Sequence, residues 1–146
     1  MQKLLIVEDE KSIFFLLNSC ILYEELGLEL AGYAENGQMA YDMIMEKRPD
    51  IVITDISMPI IDGLELIERV QKQHVNPKFI IVSGYAQFEF AKKAVKLGVR
   101  DYLLKPINSN ELNKSLAQLA REISEDGSER TLLQSSDNHK EKIRTS

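Results

Sequence analysis

Asp50-Ile51-Val52-Ile53-Thr54-Asp55-Ile56-Ser57-Met58-Pro59 sets four β-branched residues between two aspartates. An apolar run this short suits a strand covered on both faces, because a half-exposed strand would alternate polar and apolar. Pro49 ahead of it stops a helix, and Met58-Pro59 with Asp62-Gly63 marks a turn behind it. Strand Asp50–Asp55 therefore ends on a carboxylate.

Four more such runs lie on either side: Lys3–Val7, Glu29–Ala34, Lys78–Ser83 and Asp101–Leu104. They alternate with helical periodicity over Ser12–Leu26, Gly37–Lys47, Leu64–Gln73, Phe88–Leu97 and Ser109–Glu125. In the last of these, Leu112, Leu116, Leu119 and Ile123 step by about four, three and four residues, which makes one apolar stripe. Asn108 with Glu111 forms a capping pair at its start, and Asn36-Gly37 is a turn signal. Parallel strands need crossover connections, so the alternation predicts an α/β fold, a doubly wound five-stranded parallel sheet. Function in such sheets gathers beyond the carboxyl ends of the strands.

At those ends the first strand delivers Glu8-Asp9, the third Asp55, the fourth Ser83-Gly84 and the fifth Lys105-Pro106. Crowded carboxylates repel one another unless a cation sits among them. Oxygen donors without thiolate or imidazole favour Mg2+ or Mn2+ over zinc. A divalent ion that keeps several waters would bind phosphate oxygens, with Lys105 and Ser83 holding others. Gly84 leaves room beside Ser83. Any one acidic residue after a strand is more often a cap or a solvated charge. It is the joint pattern that points to a phosphate-handling site.

Leu5-Ile6-Val7-Glu8-Asp9-Glu10, the stretch Asp50–Pro59, Asp62-Gly63, Ser83-Gly84-Tyr85 and Tyr102-Leu103-Leu104-Lys105-Pro106 closely resemble the receiver domains of bacterial two-component response regulators. The resemblance covers about residues 3–123 and implies the flavodoxin-like (βα)5 receiver fold. It implies that Asp55 is phosphorylated by a sensor histidine kinase. Asp9 and Asp55 would ligate the metal directly, the Ser57 backbone carbonyl would be a third ligand, and Glu8 would act through water. Family members often carry Asp where this chain has Glu8. Lys105 would pair with the aspartyl phosphate, Ser83 would hydrogen-bond it, and Tyr102 would be the aromatic switch that turns inward when Ser83 moves. Phosphorylation-dependent self-association or partner binding would follow on the face formed by the fourth helix, fifth strand and fifth helix. Glu24-Glu25-Leu26-Gly27, Ala34-Glu35-Asn36-Gly37 and Tyr85–Ala91 place the likeness nearest to receivers joined to AraC-type DNA-binding domains. No such output domain lies in this chain, and control of transcription is the expected output. A stand-alone receiver, acting as a phosphorelay intermediate or protein-binding switch, is the alternative.

Two further classes fit less well. Hydrolases built on an aspartyl nucleophile carry a second acid two residues later, where this chain has Ser57; phosphate release is therefore expected to be slow, and a turnover enzyme is not expected. A flavin or nucleotide domain would need a Gly-rich phosphate loop.

The 146 residues are one domain's worth, 44% hydrophobic and 28% charged, as in ordinary soluble proteins. The net charge of −5 argues against nucleic-acid binding by this segment. No apolar run reaches bilayer length and the start does not resemble a signal peptide. The single cysteine, Cys20, reads as core and suits a reducing cytoplasm. His74 and His139 lack ligand-spaced partners. Residues 1–125 are read as the receiver domain. From Asp126 onward only Leu132, Leu133 and Ile143 are large and apolar, so residues 126–146 are read as a polar flexible tail or the start of a linker.

Overall fold

The computed structural model describes residues 1–84 and 87–137, with 127–137 described by backbone alone. Five strands, β1 (Gln2–Val7), β2 (Leu28–Ala34), β3 (Ile51–Thr54), β4 (Lys78–Ser83) and β5 (Asp101–Leu104), form one parallel sheet in the order β2-β1-β3-β4-β5. The order in which successive strands are added reverses between β1 and β3, which lie side by side and parallel with Val7 opposite Thr54. That switch point is where a crevice opens in doubly wound sheets. Glu8 and Asp55 follow directly from its two strands.

Both faces of the sheet are covered. Leu5, Val7, Val52, Phe79 and Ile81 pack against α3 (Gly37–Lys47), α4 (Gly63–Lys72) and α5 (Phe88–Lys96). Leu4, Ile6, Ile53, Ile80 and Val82 pack against α1 (Lys11–Cys20) and α6 (Ser109–Asp137). Alternate residues of one strand thus serve opposite layers, which is why the runs read as unbroken apolarity. Each fully buried Leu or Ile contributes about 1.5–3 kcal/mol. The stripe read in the last helix supplies Leu112, Leu116 and Leu119 to this layer, all buried.

The capping signals act as expected. Asn36 accepts from Met39 N at 2.8 Å, Asp62 from Glu65 N at 2.8 Å and Asn108 from Glu111 N at 2.9 Å. Each satisfies an amide that the first helical turn leaves without a partner.

Two helices differ from the sequence reading by more than a residue or two at their ends. The helix expected over Ser12–Leu26 is two, α1 and a short α2 (Tyr23–Leu26), with Ile21 extended between them. Asn113 of α6 holds the break: its Oδ1 accepts from Leu22 N at 3.0 Å and its Nδ2 donates to Cys20 O at 2.9 Å. The last helix, expected to end near Glu125, continues to Asp137, so residues 126–137 of the expected tail are helical in backbone. Residues 138–146 of that tail, His139 among them, and Tyr85-Ala86 lie outside the described residues. No helix among the described residues is long and apolar enough to cross a membrane.

Candidate functional site

The acceptor candidate stands where β3 ends. Asp55 N donates to Val7 O at 3.2 Å, so the residue still belongs to the β1–β3 ladder although the strand has ended. Its side chain turns back on the following loop, where Oδ1 accepts from Ile56 N at 2.7 Å and from Ser57 N at 3.4 Å. The other oxygen, Oδ2, accepts from Lys105 Nζ at 2.9 Å. Asp55 is only 7% exposed, so its charge depends on these donors more than on water.

Glu8 follows β1 and is 1% exposed. Its N–H donates to Ala34 O at 3.0 Å, which fixes the residue between β1 and β2. Of its carboxylate oxygens, Oε1 accepts from Lys105 Nζ at 3.2 Å and Oε2 from Glu10 N at 3.2 Å. Burial pushes the Glu8 carboxyl up to about 7, with the Asp55 charge adding to the shift, while Glu10 N–H and Lys105 oppose it. Burial by itself would lower Lys105, but the hydrogen bond and charge of Asp55, then those of Glu8, outweigh it and leave the ammonium raised. Lys105 is therefore a firmly charged cation shared by two carboxylates.

Asp9, exposed, completes the acidic group. Carboxylate oxygens of Glu8, Asp9 and Asp55 lie within 4.8 Å of one another, the group among the described residues placed to hold a metal ion. Once Glu8 is ionised, three carboxylates against one ammonium leave two negative charges, which a divalent cation would balance. Asp9, Glu10, Asp55, Ser57, Gly84 and Lys105 line an open cleft over this group.

Of the other residues singled out from sequence, Gly84 is exposed at the cleft, and a methyl built on it meets nothing within 4 Å. Ser83 is fully buried at the end of β4, and its carbonyl accepts from Lys105 N at 2.8 Å, which joins β4 to the lysine. Tyr102 does not line the cleft; it is half-buried on β5, opposite Ile81, and packs on the layer that contains α5. The structure thus brings Glu8, Asp9, Asp55, Ser57, Gly84 and Lys105 together and sets Tyr102 further back.

Two contributors were not read from sequence. Thr54 is fully buried, and its Oγ1 donates to Asp55 O at 2.8 Å. Gly63, read only as part of a turn, seats its backbone against the Asp55 carbonyl. The buried polar residue ending an apolar strand was a signal for Thr54. A close backbone approach leaves none beyond the glycine itself.

Comparison with known proteins agrees with this geometry. A family model described as the response regulator receiver domain matches residues 4–117. An uncharacterized transcriptional regulatory protein, YesN of Bacillus subtilis, is 45% identical over 123 residues, which are 84% of this chain and 33% of that protein. This chain therefore spans about a third of that relative. The chemotaxis protein CheY of Thermotoga maritima is 32% identical over 120 residues, 82% of this chain and 98% of the relative. Among solved structures, the receiver domain of AraT, a response regulator from Geobacillus stearothermophilus, superposes with a TM-score of 0.80 at 32% identity, covering 86% of this chain and 98% of that one.

Proposed function

The chain belongs to the response regulator receiver domain family, and we propose that it takes a phosphoryl group from a sensor histidine kinase onto Asp55 and changes shape in response. The observation that carries this reading is the shared lysine: Lys105 Nζ lies 2.9 Å from Asp55 Oδ2 and 3.2 Å from Glu8 Oε1, at the mouth of an acidic cleft. The carboxylate oxygens of Glu8, Asp9 and Asp55 suit Mg2+ or Mn2+; Asp9, Asp55 and the Ser57 carbonyl would hold the ion directly and Glu8 would act through water. When bound, such an ion supplies charge neutralisation for the phosphoryl oxygens.

The protein's own part is positioning. Backbone N–H groups of Ile56 and Ser57 hold Asp55 Oδ1, so the carboxylate faces the cleft in one orientation. In transfer, an Asp55 oxygen forms a bond to phosphorus while the phosphorus–nitrogen bond of the donor phosphohistidine breaks and its imidazole takes a proton from solvent. Lys105 leaves the free carboxylate for the new phosphate oxygens, and Ser83 donates to them. With Ser57 rather than an acid two residues beyond Asp55, no side chain there activates water. Slow self-dephosphorylation rather than turnover is the expected behaviour.

For the output we favour control of transcription. A 45% identical relative is named as a transcriptional regulatory protein and is about three times as long, so a DNA-binding domain beyond this segment is the reading supported. Residues 126–146 are then the start of its linker, and the protein would work in the cytoplasm. Phe88 and Val95 on α5 and Leu104 on β5 are exposed apolar residues, and phosphorylation-dependent self-association would use them. Intact-mass spectrometry after incubation with acetyl phosphate and Mg2+ tests the reading. One added phosphate on the wild type and none on Asp55→Asn is expected; equal labelling of both proteins would reject it.

A further inference from the structure

Asp55 is fixed from its carbonyl side as well as through its carboxylate. Thr54 Oγ1 donates to Asp55 O at 2.8 Å from a fully buried position. Gly63, the first residue of α4, donates its N–H to Ile56 O at 2.8 Å and lies against the preceding peptide, the one that joins Asp55 to Ile56. A methyl built on Gly63 would overlap the Asp55 carbonyl oxygen and lie 3.0 Å from both its carbonyl carbon and Ile56 Cα. All three are backbone atoms that no rotamer change moves away. At Gly32 the corresponding methyl would meet only side-chain ends, chiefly Met43 Cε.

The geometry points to Gly63 and Thr54 as positioning residues for phosphoryl acceptance, setting the peptide plane from which the Asp55 carboxylate projects. The inference rests on the reading of Asp55 as acceptor. If the start of α4 shifts the Asp55 peptide, the carboxylate moves relative to Lys105, Asp9 and the Ile56 and Ser57 N–H groups together. Displacements of about 1 Å at a reacting group cost on the order of 100-fold in rate. Gly63 and Thr54 touch neither phosphate nor metal, so their effect travels through Asp55 alone.

The test is the rate of phosphorylation by acetyl phosphate at saturating Mg2+, well below each protein's melting temperature, on full chains shown to be folded by circular dichroism. Gly63→Ala should slow acceptance by about ten-fold or more and Thr54→Val by about three-fold, because both disturb positioning. Thr54→Ser keeps the hydroxyl and should restore the wild-type rate; Gly32→Ala should match wild type throughout. A merely structural role would lower melting temperatures and leave these rates unchanged. Folded Gly63→Ala and Thr54→Val proteins with wild-type rates overturn the inference. If Gly63→Ala does not fold, the Thr54→Val and Thr54→Ser pair decides. Failure of the wild type itself to be labelled would instead reject the acceptor reading.

Discussion

Lys105 Nζ donates to Asp55 Oδ2 at 2.9 Å across fifty residues of sequence, and the same ammonium reaches Glu8 Oε1 at 3.2 Å. One cation thus spans the two strand ends that flank the switch point, and it does so with its side chain only 18% exposed. Burial raises the cost of every unpaired charge in this group, which makes the lysine matter twice. It compensates two buried carboxylates in the free protein and, in the proposed reaction, would meet the phosphoryl group.

Lys105→Ala should separate these roles. Without the ammonium, Glu8 and Asp55 repel each other uncompensated, and stability above neutral pH should fall by about 3 kcal/mol. Mg2+ should bind at least as tightly, since a competing positive charge is gone. Phosphorylation should nevertheless slow by about 100-fold, the usual loss for a single charge-stabilising donor. Calorimetry and labelling rates on one preparation check all three. A faster or unchanged labelling rate would contradict the role given to Lys105.

Glu8 makes stability depend on pH in a direction fixed by its raised carboxyl. Its value rises from 4.5 to about 7 on folding, so the folded chain holds this proton more tightly than the unfolded chain does. The contribution is fully present below pH 4.5 and is lost as pH climbs through about 7. Melting temperature in chelator should therefore fall across that window, and Glu8→Gln should remove this part of the fall and melt higher than wild type at pH 8. Mg2+ should raise the wild-type melting temperature most at the alkaline end. A Glu8→Gln protein that melts below wild type at pH 8 without metal would contradict this.

The route out of the site is tested with beryllofluoride, a mimic of the aspartyl phosphate. Ser83 is fully buried beside the lysine, and Tyr102 packs half-buried in the layer that includes α5. Drawing Ser83 toward the phosphate should let the Tyr102 ring move in and alter the surroundings of exposed Phe88, Val95 and Leu104. Sedimentation should show self-association of wild type on adding beryllofluoride and a weaker response from Ser83→Ala. Identical responses from the two proteins would remove Ser83 from the pathway.

The fold was legible because buried parallel strands are short unbroken apolar runs. Lys78–Ser83 and Asp101–Leu104 fall on the residues read from sequence. Glu8, Asp55 and Lys105 could be read the same way, since each is a charged residue at the end of such a run. The break between α1 and α2 was hidden because its cause, Asn113, lies in a helix some ninety residues away. Local periodicity continues through Ile21 and Leu22 while a tertiary hydrogen bond interrupts the backbone. The extension of α6 past Glu125 was missed because few apolar residues follow to mark a buried stripe. Gly63 read as a turn residue because its demand is for space against one carbonyl, a requirement that no pattern of polarity encodes.

The central claim is that Asp55 becomes an acyl phosphate, and chemical trapping tests it most directly. Borohydride reduces an aspartyl phosphate to homoserine, which peptide mass spectrometry assigns to a single position. After incubation with acetyl phosphate and Mg2+, homoserine should appear at residue 55, and chelation of the metal beforehand should abolish it. Homoserine at another aspartate, or at residue 55 in equal yield without divalent metal, would contradict the account.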